Sequence, residues 1–279
     1  MEKTVLITGA NSGIGKETAL GLARLGFDVV MACRSREKGE EAMDEIRQKS
    51  GSKSLELMSV DLADLASVRK LAGEYISGHP RLDVLVNNAG LILTKRTTTV
   101  DGFETTFQVN YLSHFLLTNL LLDELRKDAP SRIVNVSSDA HTSGHIYFDD
   151  LQCANGYSAF KSYGQSKLAQ VLFTYELARR LAGTKVDVNC LHPGAVASNW
   201  GRHPGSWLSV GLRLASVFEI SPAKGAETPI YLASEPKLEG VSGKYFAKKR
   251  EAKSSPASYD EDAGRRLWNV SCQLLGMAQ

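Results

Sequence analysis

Thr4-Val5-Leu6-Ile7-Thr8-Gly9-Ala10-Asn11-Ser12-Gly13-Ile14-Gly15 decides how this chain is read. An apolar, β-branched run predicts a buried strand, with Val5 to Thr8 at its heart. A glycine-rich turn follows. Ile14 to Leu25 then carries Ala19, Leu22 and Ala23 on one face at helical spacing. Small residues at 9, 13 and 15 let the backbone turn sharply and approach phosphate oxygens, and the next helix aims its positive end at them. The spacing is Gly-x-x-x-Gly-x-Gly. It reads as a pyrophosphate cradle, or as a plain strand-to-helix turn.

Outward from this unit, apolar runs alternate with helix-period segments. Strands are expected at Asp28 to Ala32, Leu55 to Val60, Leu82 to Val86, Ile133 to Ser137, Val186 to Leu191 and Gly243 to Phe246. Helices are expected at Arg36 to Lys49, Val68 to Ile76, Phe103 to Leu125, Tyr163 to Leu181 and Pro222 to Ala233, with a C-terminal helix around Arg265 to Trp268. Such alternation predicts a single-domain α/β Rossmann fold, a doubly wound parallel sheet with helices on both faces. No Pro/Ser/Gly-rich linker divides residues 1–279, so one domain is expected. The stretch from Trp200 to Ile220 is apolar and irregular.

The net charge of +2 implies no broad basic face, so nucleic acid is not an expected partner. The Lys248-Lys249-Arg250 run reads as a solvated loop. Cys33, Cys153, Cys190 and Cys272 are scattered without metal spacing, which fits a reducing, cytoplasmic setting. His141 and His145 lie in a Gly/Ser/Thr loop and are not read as a metal pair. The N-terminus leads directly into a strand, and no stretch of about 20 apolar residues occurs, so no integral membrane segment is expected.

Tyr163-Gly164-Gln165-Ser166-Lys167 places a tyrosine and a lysine four residues apart, on one helix face. Beside a pyrophosphate cradle, this suggests a nicotinamide enzyme with a tyrosine acid. At the end of the second strand, Ala32-Cys33-Arg34 stands where an NAD site would place a carboxylate for the ribose hydroxyls. Arg34 instead suits a 2′-phosphate, with Lys38 one turn on, which argues for NADP(H) over NAD(H). Arg34 also reads as an exposed loop charge. Asp61 can accept from the adenine amino group while Leu62 packs on the ring, and Asp64 fits the N-cap of the next helix better. Taken singly, Tyr163 is equally a helix-surface aromatic, Ser137-Ser138 a strand-end cap and Asn110 a polar helix residue.

With these residues assembled, the chain resembles the short-chain dehydrogenase/reductase family in its classical form over nearly its whole length. Thr8 to Gly15 matches the cofactor turn, Asn87-Asn88-Ala89-Gly90 a family signature, and Pro193-Gly194 the nicotinamide-contacting turn. Asn110, Ser138, Tyr163 and Lys167 fall in the order of the catalytic tetrad. Cofactor contacts are thereby implied for Gly9, Asn11, Ser12, Gly13, Ile14, Gly15, Asn88, Ala89, Gly90, Tyr163, Lys167, Pro193, Gly194, Val196 and Ser198. Tyr163 is the expected acid/base. An ordinary tyrosine pKa of about 10 is high for that task, and the Lys167 ammonium is expected to lower it. Lys167 also holds the nicotinamide ribose in this reading. Ser138 polarises the carbonyl, with Ser137 the other candidate, and Asn110 holds a relay water.

A narrower resemblance is to the retinol dehydrogenase-like branch, through Ala32-Cys33-Arg34, Arg132 to Ser138 with Ala140-His141, and the tail Arg265-Arg266-Leu267-Trp268 with Cys272 and Leu274-Leu275-Gly276. It implies NADP(H) and a lipophilic aldehyde, ketone or alcohol. Two departures stand out. The N-terminal anchor of many microsomal members is not seen, and Ser198 stands where Thr is usual. The substrate is expected under a segment at about 198–222, with Trp200 and Trp207 lining an apolar pocket. That segment reads alternatively as a peripheral membrane contact, or as core or subunit interface. Family members often pair through their two long helices, so a homo-oligomer is expected. The alternatives to turnover of a carbonyl are an NADP(H)-binding sensor or scaffold and a protochlorophyllide-type double-bond reductase.

Overall fold

The computed structural model describes residues 3–194 and 220–278. Among the described residues the sheet has eight strands in the order β3-β2-β1-β4-β5-β6-β7-β8. They are β1 (Thr4–Thr8), β2 (Asp28–Cys33), β3 (Leu55–Ser59), β4 (Val84–Asn87), β5 (Ser131–Val136), β6 (Val186–His192), β7 (Lys244–Ala247) and β8 (Arg250–Glu251). All neighbours are parallel except β7 and β8. The order reverses between β1 and β4, which opens a crevice beyond their C-terminal ends.

The helices are α1 (Gly13–Arg24), α2 (Arg36–Ser50), α3 (Leu65–Gly78), α4 (Thr105–Phe107), α5 (Ser113–Leu120), α6 (Leu122–Lys127), α7 (Ala159–Arg180), α8 (Pro222–Ser234) and α9 (Glu261–Leu274). Side chains alternate across the sheet, so each strand feeds two cores. Leu6, Val30, Leu85 and Ile133 enter one, against α3, α5, α7 and α9. Val5, Ile7, Val29, Met31, Val84, Val86 and Val134 enter the other, against α1, α2 and α8. This arrangement is why the strands read as continuous apolar runs. None of the helices among the described residues is long and apolar enough to cross a membrane.

Two expectations need correction. The apolar pattern from Phe103 to Leu125 is not one helix. Glu104 accepts from the N–H groups of Thr106 and Phe107 and starts α4, and a π-helical turn over Gln108–Leu112 precedes α5. Ser113 Oγ donates to Leu62 O at 2.6 Å and Gln108 Nε2 to Asp101 Oδ2 at 2.8 Å, polar ties that hold the widened turn. Apolar spacing alone does not register such an insertion. The helix expected from Tyr163 begins at Ala159, four residues earlier, which places Tyr163 in its second turn. Most of the apolar segment after Trp200, with Val196, Ser198, Trp200 and Trp207, lies outside the described residues.

Candidate active site

The cradle lies where β1 hands over to α1. Gly9 and Gly13 hold positive φ of 67° and 54°. A Cβ on Gly15 would stand 2.3 Å from Gly9 O and 2.5 Å from Asn88 Nδ2, so the backbone folds tightly here only because no side chain intervenes. Ser12 precedes α1 without a side-chain cap, and the first turn of α1 holds no acid. Its N–H groups are therefore open to an anion. Thr8 stitches the cradle to the Asn87–Gly90 segment: its Oγ1 accepts from Asn88 N at 2.9 Å and Ala89 N at 3.1 Å, while Asn88 Nδ2 donates to Thr8 O at 2.8 Å. Asn11 and Ile14 are part-buried beside it, and Ser12 is exposed. These features fit a dinucleotide pyrophosphate.

At the end of β2, Arg34 and Lys38 are exposed, and neither forms an ion pair among the described residues. Cys33 is buried beneath them, and burial pushes its thiol up to about 11. Asp61 Oδ1 accepts from Ala63 N at 2.9 Å, and Asp64 caps α3 through Ala66 N, as its spacing suggested. Leu62 is buried within the core beside α3.

The four tetrad candidates converge from separate elements. Asn110 comes from the π turn, and its amide clasps the main chain of Leu91: Oδ1 accepts from Leu91 N at 2.8 Å and Nδ2 donates to Leu91 O at 2.9 Å. Nδ2 also reaches Ser166 Oγ on α7 at 3.0 Å. Lys167 Nζ donates to Val136 O and to Gln170 Oε1, both at 2.9 Å. A Cβ on Gly90 would lie 3.4 Å from both Asn110 Oδ1 and Lys167 Nζ, so the two groups meet across that glycine. Ser138 lies just beyond β5, caps the turn that follows through Ala140 N, and hydrogen-bonds the Tyr163 hydroxyl. Ser137 Oγ instead donates to Lys167 O at 2.9 Å in the core, which separates the two serines.

Electrostatics depart from expectation. Burial pulls the Lys167 ammonium down to about 7. Burial also pushes the Tyr163 phenol above its ordinary value, with only the Ser138 hydrogen bond opposing it. Lys167 Nζ lies 5.6 Å from the Tyr163 ring centroid, yet the expected lowering of the phenol does not appear. Burial is the largest cause of both shifts.

Sequence reasoning passed over three supports. Glu104, fully buried, accepts from Ser162 Oγ at 2.8 Å and so fixes the turn carrying Tyr163. Gln170 sits one turn beyond Lys167 with its Nε2 buried and without a hydrogen-bond partner among the described residues. His141, read as a loop residue, is 1% exposed. Gln170 leaves only a polar residue in an apolar helix as its trace in sequence, and His141 entered the sequence reading only as part of the Ala140-His141 resemblance. Beyond β6, Gly194 has φ of 96° and donates its N–H to His192 Nδ1 at 3.3 Å, beside Pro193.

A family model described as short chain dehydrogenase matches residues 3–207. Retinol dehydrogenase 14 of Homo sapiens is 47% identical over 295 residues, spanning 99% of this chain and 87% of that protein. Retinol dehydrogenase 13 of Mus musculus is 49% identical over 282 residues, spanning 99% and 84%. Among solved structures, an uncharacterized protein from Mycobacterium Paratuberculosis is 36% identical with a TM-score of 0.80, over 99% of this chain and 94% of that one. The NADP active-site complex of Pseudomonas aeruginosa RhlG is 29% identical with a TM-score of 0.70, over 88% and 93%.

Proposed function

We propose that this chain, which belongs to the short-chain dehydrogenase/reductase family and is retinol dehydrogenase-like along its length, moves a hydride between NADP(H) and a lipophilic carbonyl or alcohol. The observation that carries the reading is the convergence of Ser138 with Tyr163 and of Asn110 with Lys167 at the open end of the sheet. A bound nicotinamide supplies or accepts the hydride. The chain supplies everything else. Gly9 to Gly15 and the N-terminus of α1 hold the pyrophosphate, and the Asn88–Gly90 strand end and Pro193-Gly194 border the nicotinamide.

In the reductive direction, Ser138 donates to the carbonyl oxygen and draws charge onto it. Tyr163 gives its proton to that oxygen as the hydride reaches the carbon, so one proton and one hydride convert carbonyl to alcohol. A phenol held above its ordinary pKa is in the protonated form this direction requires. Lys167, held near 7, is poised to return a proton to the phenolate. Asn110 ties the main chain of Leu91, in the loop beyond β4, to Ser166 of α7.

NADP(H) is favoured by Arg34 and Lys38, two exposed cations just after β2 that form no ion pair among the described residues, and by Ala32-Cys33-Arg34 standing where an NAD site would place a carboxylate. A lipophilic substrate is favoured by Phe160, which is 69% exposed one helical turn ahead of Tyr163, and by the names of the relatives. Residues 1–279 work as one unit in this reading. The test is NADPH oxidation across carbonyls from small ketones to all-trans-retinal, with NADH in parallel. NADPH-dependent reduction of the long apolar carbonyls is expected. Turnover with NADH alone would remove the Arg34 argument, and product analysis separates carbonyl from carbon–carbon reduction.

A further inference from the structure

Two buried imidazoles stand behind the tetrad in the same pose. His114 and His141 are each 1% exposed. His114 Nδ1 lies 3.1 Å from Asn110 O, and its Nε2 lies 3.0 Å from Thr8 Oγ1. His141 Nδ1 lies 2.7 Å from Ser138 O, and its Nε2 lies 3.1 Å from Ser255 N. We propose that His114 and His141 are positioning residues, each donating from Nδ1 to the main-chain carbonyl of a tetrad residue and anchoring it through Nε2 to a different part of the fold. The inference rests on the functional reading above.

The partners dictate the tautomer. A carbonyl oxygen only accepts, so Nδ1 of His141 carries hydrogen, and a main-chain N–H only donates, so Nε2 is bare. For His114, Thr8 Oγ1 already accepts from Asn88 N and Ala89 N. Its single hydrogen has Val86 O at 3.4 Å and His114 Nε2 at 3.0 Å to choose between, and the shorter contact leaves Nδ1–H for Asn110 O. Burial holds both rings below the ordinary histidine pKa, His114 at about 4, so both are neutral near pH 7.

The consequences differ by partner. His114 links the cofactor cradle, through Thr8, to the π turn that presents Asn110. His141 links Ser138 to the Ser255 segment that follows β8, with the Tyr245 ring packed on it at 4.8 Å between centroids. Each ring fixes the peptide plane from which a reacting side chain projects. Each therefore acts through the main chain of a tetrad residue.

The variants that discriminate are His114→Asn, His114→Gln, His141→Asn and His141→Gln. Asparagine can keep a donor near the Nδ1 position, whereas glutamine reaches toward Nε2 and loses it. With NADPH and the best carbonyl substrate, the Asn variants should keep kcat within about threefold and the Gln variants lose about tenfold or more, with KM and NADPH affinity moving less than about twofold. Equal loss or equal retention in the two series overturns the proposal. So does a fall in kcat, NADPH binding and unfolding midpoint together, which marks a structural role alone. If a Gln variant does not fold, nitrogen-15 spectra of histidine in the unaltered protein decide. Protonated Nδ1 with bare Nε2 at both sites supports the assignment, and the opposite tautomer at either site overturns it. No turnover by the unaltered chain is a different result: it removes the functional reading, and this inference with it.

Discussion

Tyr163 owes its setting to its neighbours more than to its own identity. Buried and bonded to Ser138, its phenol stays protonated, and Tyr163→Phe is expected to lower kcat by about 10² to 10⁴-fold while leaving NADPH binding intact. A sensor that merely binds the cofactor would keep its function in that variant, so a fluorescence titration beside the rate assay separates the two. Gly90 is a quieter constraint. A methyl group there meets Asn110 Oδ1 and Lys167 Nζ at 3.4 Å each, and Gly90→Ala should depress kcat with little effect on the unfolding midpoint. At the ribose end, Arg34→Glu places a carboxylate against a 2′-phosphate. The ratio of kcat/KM for NADPH over NADH should fall by at least about tenfold, and an unchanged ratio would show that Arg34 does not read the cofactor.

At the scale of elements, strands and paired helices were legible because the sheet buries both faces and writes its strands as unbroken apolar runs such as Val84-Leu85-Val86. The glycine turn was legible because its φ values admit few other residues. The π turn was not. Gln108, Asn110 and Ser113 reach Leu62, Leu91 and Ser166 by hydrogen bonds to partners outside their own helix, which apolar spacing does not report. The effect of burial on Tyr163 and Lys167 was hidden for the same reason, since spacing reports proximity and not dryness. α1 offers a direct test. In Gly15→Ala the new methyl collides with Gly9 O, so NADPH affinity should fall by about tenfold or more while far-ultraviolet circular dichroism stays unchanged. The start of α5 brings a pH dependence. His114 titrates at about 4 when folded and near its ordinary 6.5 when unfolded. The unfolded chain therefore binds the extra proton between those values, so the contribution of this ring is full above about pH 6.5 and is lost as pH falls to about 4, at up to about 1.4 kcal/mol per pH unit. Urea midpoints at several pH values should show this slope, flattened in His114→Asn.

At the scale of the whole molecule, α9 is the piece that closes one of the two cores. Trp268 packs on Phe115 of α5 at 4.8 Å and on Phe173 of α7 at 6.0 Å between centroids, Arg180 lies 4.2 Å over its ring, and Tyr111 Oη meets Ser271 Oγ at 2.7 Å. Trp268→Ala removes a large buried side chain and should cost about 3–5 kcal/mol in denaturant unfolding. The same arrangement has a consequence in time. A ribosome emits the tetrad and the cradle long before it emits Trp268, and at about 5–20 residues per second the nascent chain waits with Tyr111, Phe115 and Phe173 uncovered. The aromatic cluster therefore stays open to a chaperone until α9 has left the exit tunnel.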